Sequence, residues 1–559
     1  EVLRIPFLEE SRRGNLLSLF VTGLPKREVQ YNFCIDGVVK QDPYAQSLVK
    51  TPDFGKEEKE EPRSKYREEA FAWTDRGFLS KELSESVFYK VQVRSFTMHR
   101  SSKVRKRGTF AGMEEKIPYL QELGITGVLL MPAYEYRERL RLQIKGSPYK
   151  ELQDEGQGRV NCWGYTGEAC YFAPKAAFSA SANPVKEFKH LVNALHGAGL
   201  ECLMEFYFGR ELPPSVMLDI LRFWKCEYHI DGFRFDLMGI HDIETMNEIR
   251  AAVDKIDPSI FIYGEGWAAS TPQLDQEELA MKANIYKMPR IAAFSDEMRD
   301  GLRGGWDDDR KGAFLIGQPG HEMSIKFGLV GAVKHPQVIN DSVNYSKEPW
   351  ALQPTQMISY VSCHDDMCLA DRLKATMPDA TDEERASLHK LAETFVFTSQ
   401  GVPFIFAGDE MMRDKKGIHN SYNSPDSINT IDWRNKTIHH DVFDYVRELI
   451  TLRKNHPAFR MGDADKVRQY MEFLPVEGSN LVAFILKDNA NGDSWKNIIV
   501  AFNSRKEPAK LSIPAGRYTI VCKDGKIKQS GMGQVSGNEI IVPARSATVS
   551  YTHLTLPTK

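Results

Sequence analysis

Arg234 and Asp236 stand two positions apart in DGFRFDLMGIHD (231–242). This is a short apolar run whose β-like period turns both side chains to the same face. Two further acids follow: Glu265 in YGEGW, and Asp365 beside His364 in YVSCHDD, each at the polar end of another β-like run. Carboxyl groups of this kind can attack as nucleophiles or carry protons. A single acid at a strand end is an ordinary polar cap. Three acids delivered by three strands, with an arginine and a histidine beside them, predict a catalytic site.

The elements that must position these groups alternate along the chain. From about residue 86, VFYKVQVRSF, ITGVLLMP, LECLMEFYF, GFRFDLM, IFIYGEGW, RIAAFSDEM, MISYVSCHD and VPFIFAGDE read as eight strands. Amphipathic helices intervene, among them NPVKEFKHLVNALHGAG, which ends near Gly199. Eight strands separated by helices predict an α/β fold, a parallel (β/α)8 TIM barrel whose reactive groups lie at the C-terminal ends of its strands. We place the barrel at 86–456, closed by the helix VFDYVRELITLRKNH. An N-terminal β-sandwich at 1–85 ends in the charged stretch KEEKEEPRSKYREE (56–69), and a C-terminal β-sandwich occupies 457–551. The tail THLTLPTK (552–559) fits no strand pattern and reads as non-native.

Composition narrows the partners. With 559 residues, 42% hydrophobic content and a formal net charge of -3, the chain can bury a barrel and smaller domains and gives no reason to expect nucleic acid. The basic run HRSSKVRKRG (99–108) reads as a solvated loop. The eight cysteines lack CxxC or zinc-type spacing, which argues against a disulfide framework or a metal centre built on thiolates. No apolar run approaches the ~18–20 residues that span a bilayer, so no membrane partner is expected. No leader opens the chain, which points to the cytoplasm; the first residue is Glu1, and trimming of an N-terminal segment would leave an extracellular location open.

GFRFDLMGIHD, YGEGW and YVSCHDD resemble motifs of glycoside hydrolase family 13, the α-amylase family, and within it most resemble type I pullulanases. HNSYNSPDSINTIDW (419–433) is similar to a signature of the same subgroup, and YNFCIDGVVKQDPYA looks like a starch-type carbohydrate-binding module. The resemblance implies an α-glucan substrate (pullulan, starch or glycogen) and assigns Asp236 as nucleophile and Glu265 as acid/base. A glycosidic bond breaks through an oxocarbenium-like transition state, which requires attack on one side and protonation on the other. On this reading Arg234 keeps Asp236 ionised, while Glu265 needs a raised pKa. Asp365 and His364 would bind sugar hydroxyls, Tyr165 of NCWGYTG would form the stacking platform at the cleavage point, and Trp267 would serve the leaving side. For each aromatic, core packing is the competing role.

The third strand departs from the family's Asp-x-x-x-Asn-His pattern: Glu205, Gly209 and Arg210 stand at the three motif positions. This removes the asparagine that usually supports a calcium site, so no metal is assigned, and it replaces a sugar-binding histidine by Arg210. Asp366 stands where asparagine usually follows the His-Asp pair. No cofactor is implied. The readings carried forward are a pullulanase-type α-1,6-glucan hydrolase, isoamylase-like or α-1,4-cleaving action, and a glucan-binding protein on a hydrolase scaffold. Oligomeric state is not legible.

Overall fold

The computed structural model describes residues 3–25, 28–56, 61–66, 70–139, 160–167, 169–269 and 274–553. Part of the charged stretch at 56–69 and most of the tail at 552–559 lie outside them. Eight parallel strands close into a barrel: β1 (Phe88–Val91), β2 (Gly127–Leu130), β3 (Glu201–Tyr207), β4 (Gly232–Asp236), β5 (Phe261–Gly264), β6 (Ile291–Phe294), β7 (Met357–Ser359) and β8 (Val402–Phe406), with β8 pairing back onto β1. All eight coincide with the apolar runs of the sequence. Such strands are covered on both faces, which is why they read as continuous rather than alternating hydrophobic segments.

Along β4 the alternation divides the work. Phe233 and Phe235 belong to the core between strands and helices, and Arg234 and Asp236 turn to the barrel axis. Beneath them Phe88, Leu203, Phe261, Tyr263, Phe294 and Phe404 fill the interior as part of a separate cluster. Phe261 stacks on Tyr263 at 4.7 Å and on Phe88 at 5.5 Å. The barrel is therefore a packed plug with its polar groups at one end.

One helix, Pro214–Tyr228, makes the whole connection from β3 to β4 apart from short turns, as expected for a chain without the large inserted subdomain. Between β2 and β3 lies an excursion that period alone did not reveal: Tyr134–Tyr136 pairs antiparallel with Ala169–Pro174. The turn before Ala169 carries Tyr165.

The N-terminal region is antiparallel throughout its described strands. Val29–Tyr31 and Leu48–Val49 flank Arg63–Tyr66, and Phe33–Ile35 pairs with Val38–Lys40. At the other end the barrel's last helix, His440–Asn455, leads through Ala464–Tyr470 into an antiparallel sheet of seven strands. The final strand runs Ser546–Thr552, with Thr552 opposite Asn497. Strand pairing thus continues one residue past the end of the apolar pattern. No helix among the described residues is long and apolar enough to cross a membrane.

Candidate active site

Arg234 is fully buried and organises the C-terminal mouth of the barrel. Its Nη1 donates to Asp236 Oδ1 at 2.7 Å and its Nη2 to Glu265 Oε1 at 2.6 Å, so one guanidinium bridges the ends of β4 and β5. Glu205 lies opposite Arg234 in the β3–β4 register, 3.6 Å from Nη1. The second oxygen of Glu265 accepts from the backbone N–H of Leu237 at 3.1 Å. Leu237 has φ 48° and ψ 46°, a left-handed conformation that costs a non-glycine residue roughly 1–2 kcal/mol. That local strain directs the amide at the acid.

His364 follows β7, buried, with Nε2 3.9 Å from Asp236 Oδ1 and 3.5 Å from Asp365 Oδ1. Asp365 is the exposed member, its side chain 51% accessible at the cleft mouth. Lys415 holds this loop from below, its Nζ donating to the carbonyls of His364 at 2.9 Å and Asp366 at 2.5 Å. Tyr165 is tilted against His364 with ring centroids 4.5 Å apart, and its hydroxyl donates to Glu205. The turn that presents it needs Gly164. With φ 85° and a Tyr136 ring atom 2.5 Å from where a Cβ would stand, no other residue fits without displacement.

Of the predicted residues, Arg234, Asp236, Glu265, His364, Asp365 and Tyr165 converge. Trp267 is half-buried and packs against the barrel's interior cluster. Arg210 lies half-buried in the turn after β3, its charge helping with burial to depress the nearby His241. Sequence reasoning missed Lys90 of β1. Its Nζ lies 2.8 Å from Glu205 Oε1, 2.7 Å from His364 Nδ1 and 3.1 Å from Tyr165 Oη. The available signal was a charged residue inside the otherwise apolar run VFYKV.

The electrostatics correct one expectation. Burial and then the neighbouring Glu265 charge push the Asp236 carboxyl well above the usual carboxylate range, with Arg234 pulling it back. The sequence had Arg234 serving Asp236 alone; here two acids share one cation, so their mutual repulsion is only partly offset. Burial, followed by the charges of Lys90, Arg234 and Lys415, holds His364 well below its ordinary value and therefore neutral.

Asp236, Glu265 and His364 place an oxygen or nitrogen each within 4.8 Å of the others. That spacing could suit a metal, but Arg234 already bonds both carboxylates and a cation there would meet its fixed charge. At the third-strand turn, Gly209 offers no side-chain ligand, and the Glu211 carboxylate occupies the space a Cβ there would need. The calcium donor set of the family is not reproduced by these residues. One carboxyl oxygen of Asp236 and one of Glu265 lie within 4.8 Å of each other, closer than the roughly 6.5–9.5 Å between the carboxyl groups of inverting glycosidases.

A family model described as "Pullulanase, all-beta domain" matches residues 467–526, from the end of the Ala464–Tyr470 helix into the C-terminal sheet. Over 495 residues the chain is 29% identical to a pullulanase of Bacillus subtilis (strain 168), covering 78% of this chain and 65% of that protein. It is 25% identical over 631 residues to the chloroplastic isoamylase 1 of Arabidopsis thaliana, covering 90% of this chain and 76% of that one. Among solved structures, a mutant of the pullulanase from Paenibacillus barengoltzii complexed with maltotriose superposes with a TM-score of 0.77 at 30% identity, covering 92% of this chain and 85% of that chain. The chain spans less than two thirds of the length of the Bacillus subtilis relative.

Proposed function

We infer the activity from the family and the site together: the chain belongs to the pullulanase-type branch of glycoside hydrolase family 13, and it acts as a retaining α-glucan hydrolase that cleaves α-1,6 linkages. The observation that carries this reading is the Arg234-bridged pair of Asp236 and Glu265 at adjacent strand ends. Asp236 attacks the anomeric carbon while Glu265 protonates the departing glycosidic oxygen; Glu265 then takes a proton from the water that releases the sugar. Nε2 of His364 and the exposed Asp365 carboxylate face the same space and bind hydroxyls of the sugar being cleaved. Tyr165 supplies the adjacent aromatic wall, tilted on His364. An α-glucan is the substrate class, consistent with the maltotriose bound by the Paenibacillus relative. Nothing in this chemistry requires a cofactor.

Isoamylase-like action on glycogen branches is the second reading, favoured by the likeness to the Arabidopsis isoamylase over 90% of the chain. Pullulan, glycogen and amylose offered separately distinguish the two. Maltotriose from pullulan is the expected product. Branch release from glycogen with pullulan left intact favours the isoamylase reading, and shortening of amylose alone overturns both.

A further inference from the structure

Lys90 is fully buried at the floor of the site, and its ammonium is ion-paired with Glu205 Oε1 at 2.8 Å and in hydrogen-bond contact with His364 Nδ1 at 2.7 Å and Tyr165 Oη at 3.1 Å. A lysine ammonium has three donors and no acceptor, so His364 Nδ1 and Tyr165 Oη must both accept. The Tyr165 hydroxyl already sends its proton to Glu205 and is free to accept from Lys90. His364 Nδ1 is thereby left without a proton, and the neutral ring must carry its hydrogen on Nε2. That nitrogen is the one aimed at the cleft, 3.9 Å from Asp236 Oδ1 and 3.5 Å from Asp365 Oδ1.

We propose that Lys90 is a positioning residue that locks His364 in its Nε2–H form, so that the histidine donates to a substrate hydroxyl beside the nucleophile. The groups facing the ring come from several elements. Lys90 and Arg234 lie on β1 and β4, Lys415 holds the loop carbonyl, and Asp236, Glu265, Asp365, the Tyr165 ring and the Cys363 thiol, with Sγ 3.4 Å from Nδ1, also face it. The three cations also resist a second proton on the ring, which keeps one donor and no net charge next to Asp236. Glu205 fits this arrangement. It neutralises Lys90 while leaving the ammonium's remaining donors to the histidine and the tyrosine.

The proposal takes the glucan-hydrolase reading of the site as its premise, but its primary test needs no substrate. In protein labelled with ¹⁵N at the histidine rings, with the His364 signals assigned by their loss in His364→Gln, Nδ1 of the intact chain is expected to be pyridine-like and Nε2 pyrrole-like at neutral pH. A pyrrole-like Nδ1 overturns the proposal. Lys90→Met leaves Glu205 unpaired in the core, so the companion variant is Lys90→Met combined with Glu205→Gln, which removes both charges. There, mixed tautomers and protonation of His364 at higher pH are expected, with a loss of kcat/KM on the order of tenfold to hundredfold and an acid limb of the pH profile moved upward. A pure Nε2–H tautomer with an unmoved acid limb also overturns it. Absence of hydrolysis by the unaltered protein on every α-glucan would count against the functional reading alone, because the tautomer result stands without it.

Discussion

Asp236 and Glu265 lean on the same guanidinium, so substituting either leaves Arg234 in place with one partner and removes one half of the chemistry. Asp236→Asn and Glu265→Gln should each lower kcat roughly thousandfold or more, since attack or proton donation is lost outright. Both variants should remain folded, because amide oxygens can still accept from Arg234. Steady-state kinetics beside a thermal melt checks this; a tenth of the activity remaining in either variant contradicts the assignment. Arg210 tests a finer point. It is half-buried, at the motif position where the family carries a sugar-binding histidine, and Arg210→Ala is expected to reduce kcat/KM by an amount equivalent to about 1–3 kcal/mol, the worth of a hydrogen bond from a charged donor. Unchanged kcat/KM would place Arg210 outside the pocket without touching the acids.

At the scale of elements, β3 carries two glutamates, Glu201 and Glu205, and of these Glu205 faces the site. Glu201 opens the strand at the barrel's other end, where burial and then the charge of Asp231 raise its carboxyl from 4.5 to about 8. The folded protein therefore holds a proton there that the unfolded chain releases across the same interval. Stability contributed at this position is complete at acid pH and falls as pH rises from about 4.5 to about 8. Glu201→Gln should flatten that part of the melting-temperature profile; an equally steep fall in the variant contradicts it. Much of this architecture was legible. The eight buried strands announced themselves as apolar runs, and the two-residue spacing of Arg234 and Asp236 put both inside the barrel. What escaped depends on contacts distant in sequence. The Tyr134–Tyr136 ribbon that presents Tyr165 is too short for its period to stand out. Lys90 looks like a stray charge in VFYKV until β3 and β7 bring Glu205 and His364 to it. The raised Asp236 follows from its burial and then from the neighbouring Glu265 charge, which only the three-dimensional arrangement shows.

For the whole molecule, the barrel supplies the frame, and the acids meet at its C-terminal mouth. β4 and β5 are hydrogen-bonded neighbours, so their terminal acids are held at a separation set by strand spacing rather than by flexible loops. The central claim is that these two acids perform a double displacement. Proton NMR of the first sugar released from pullulan, recorded before mutarotation, tests it most directly. Retention predicts that the new reducing end appears first as the α-anomer and equilibrates afterwards. An initial β-anomer would mean a single inverting displacement and would contradict Asp236 as the nucleophile.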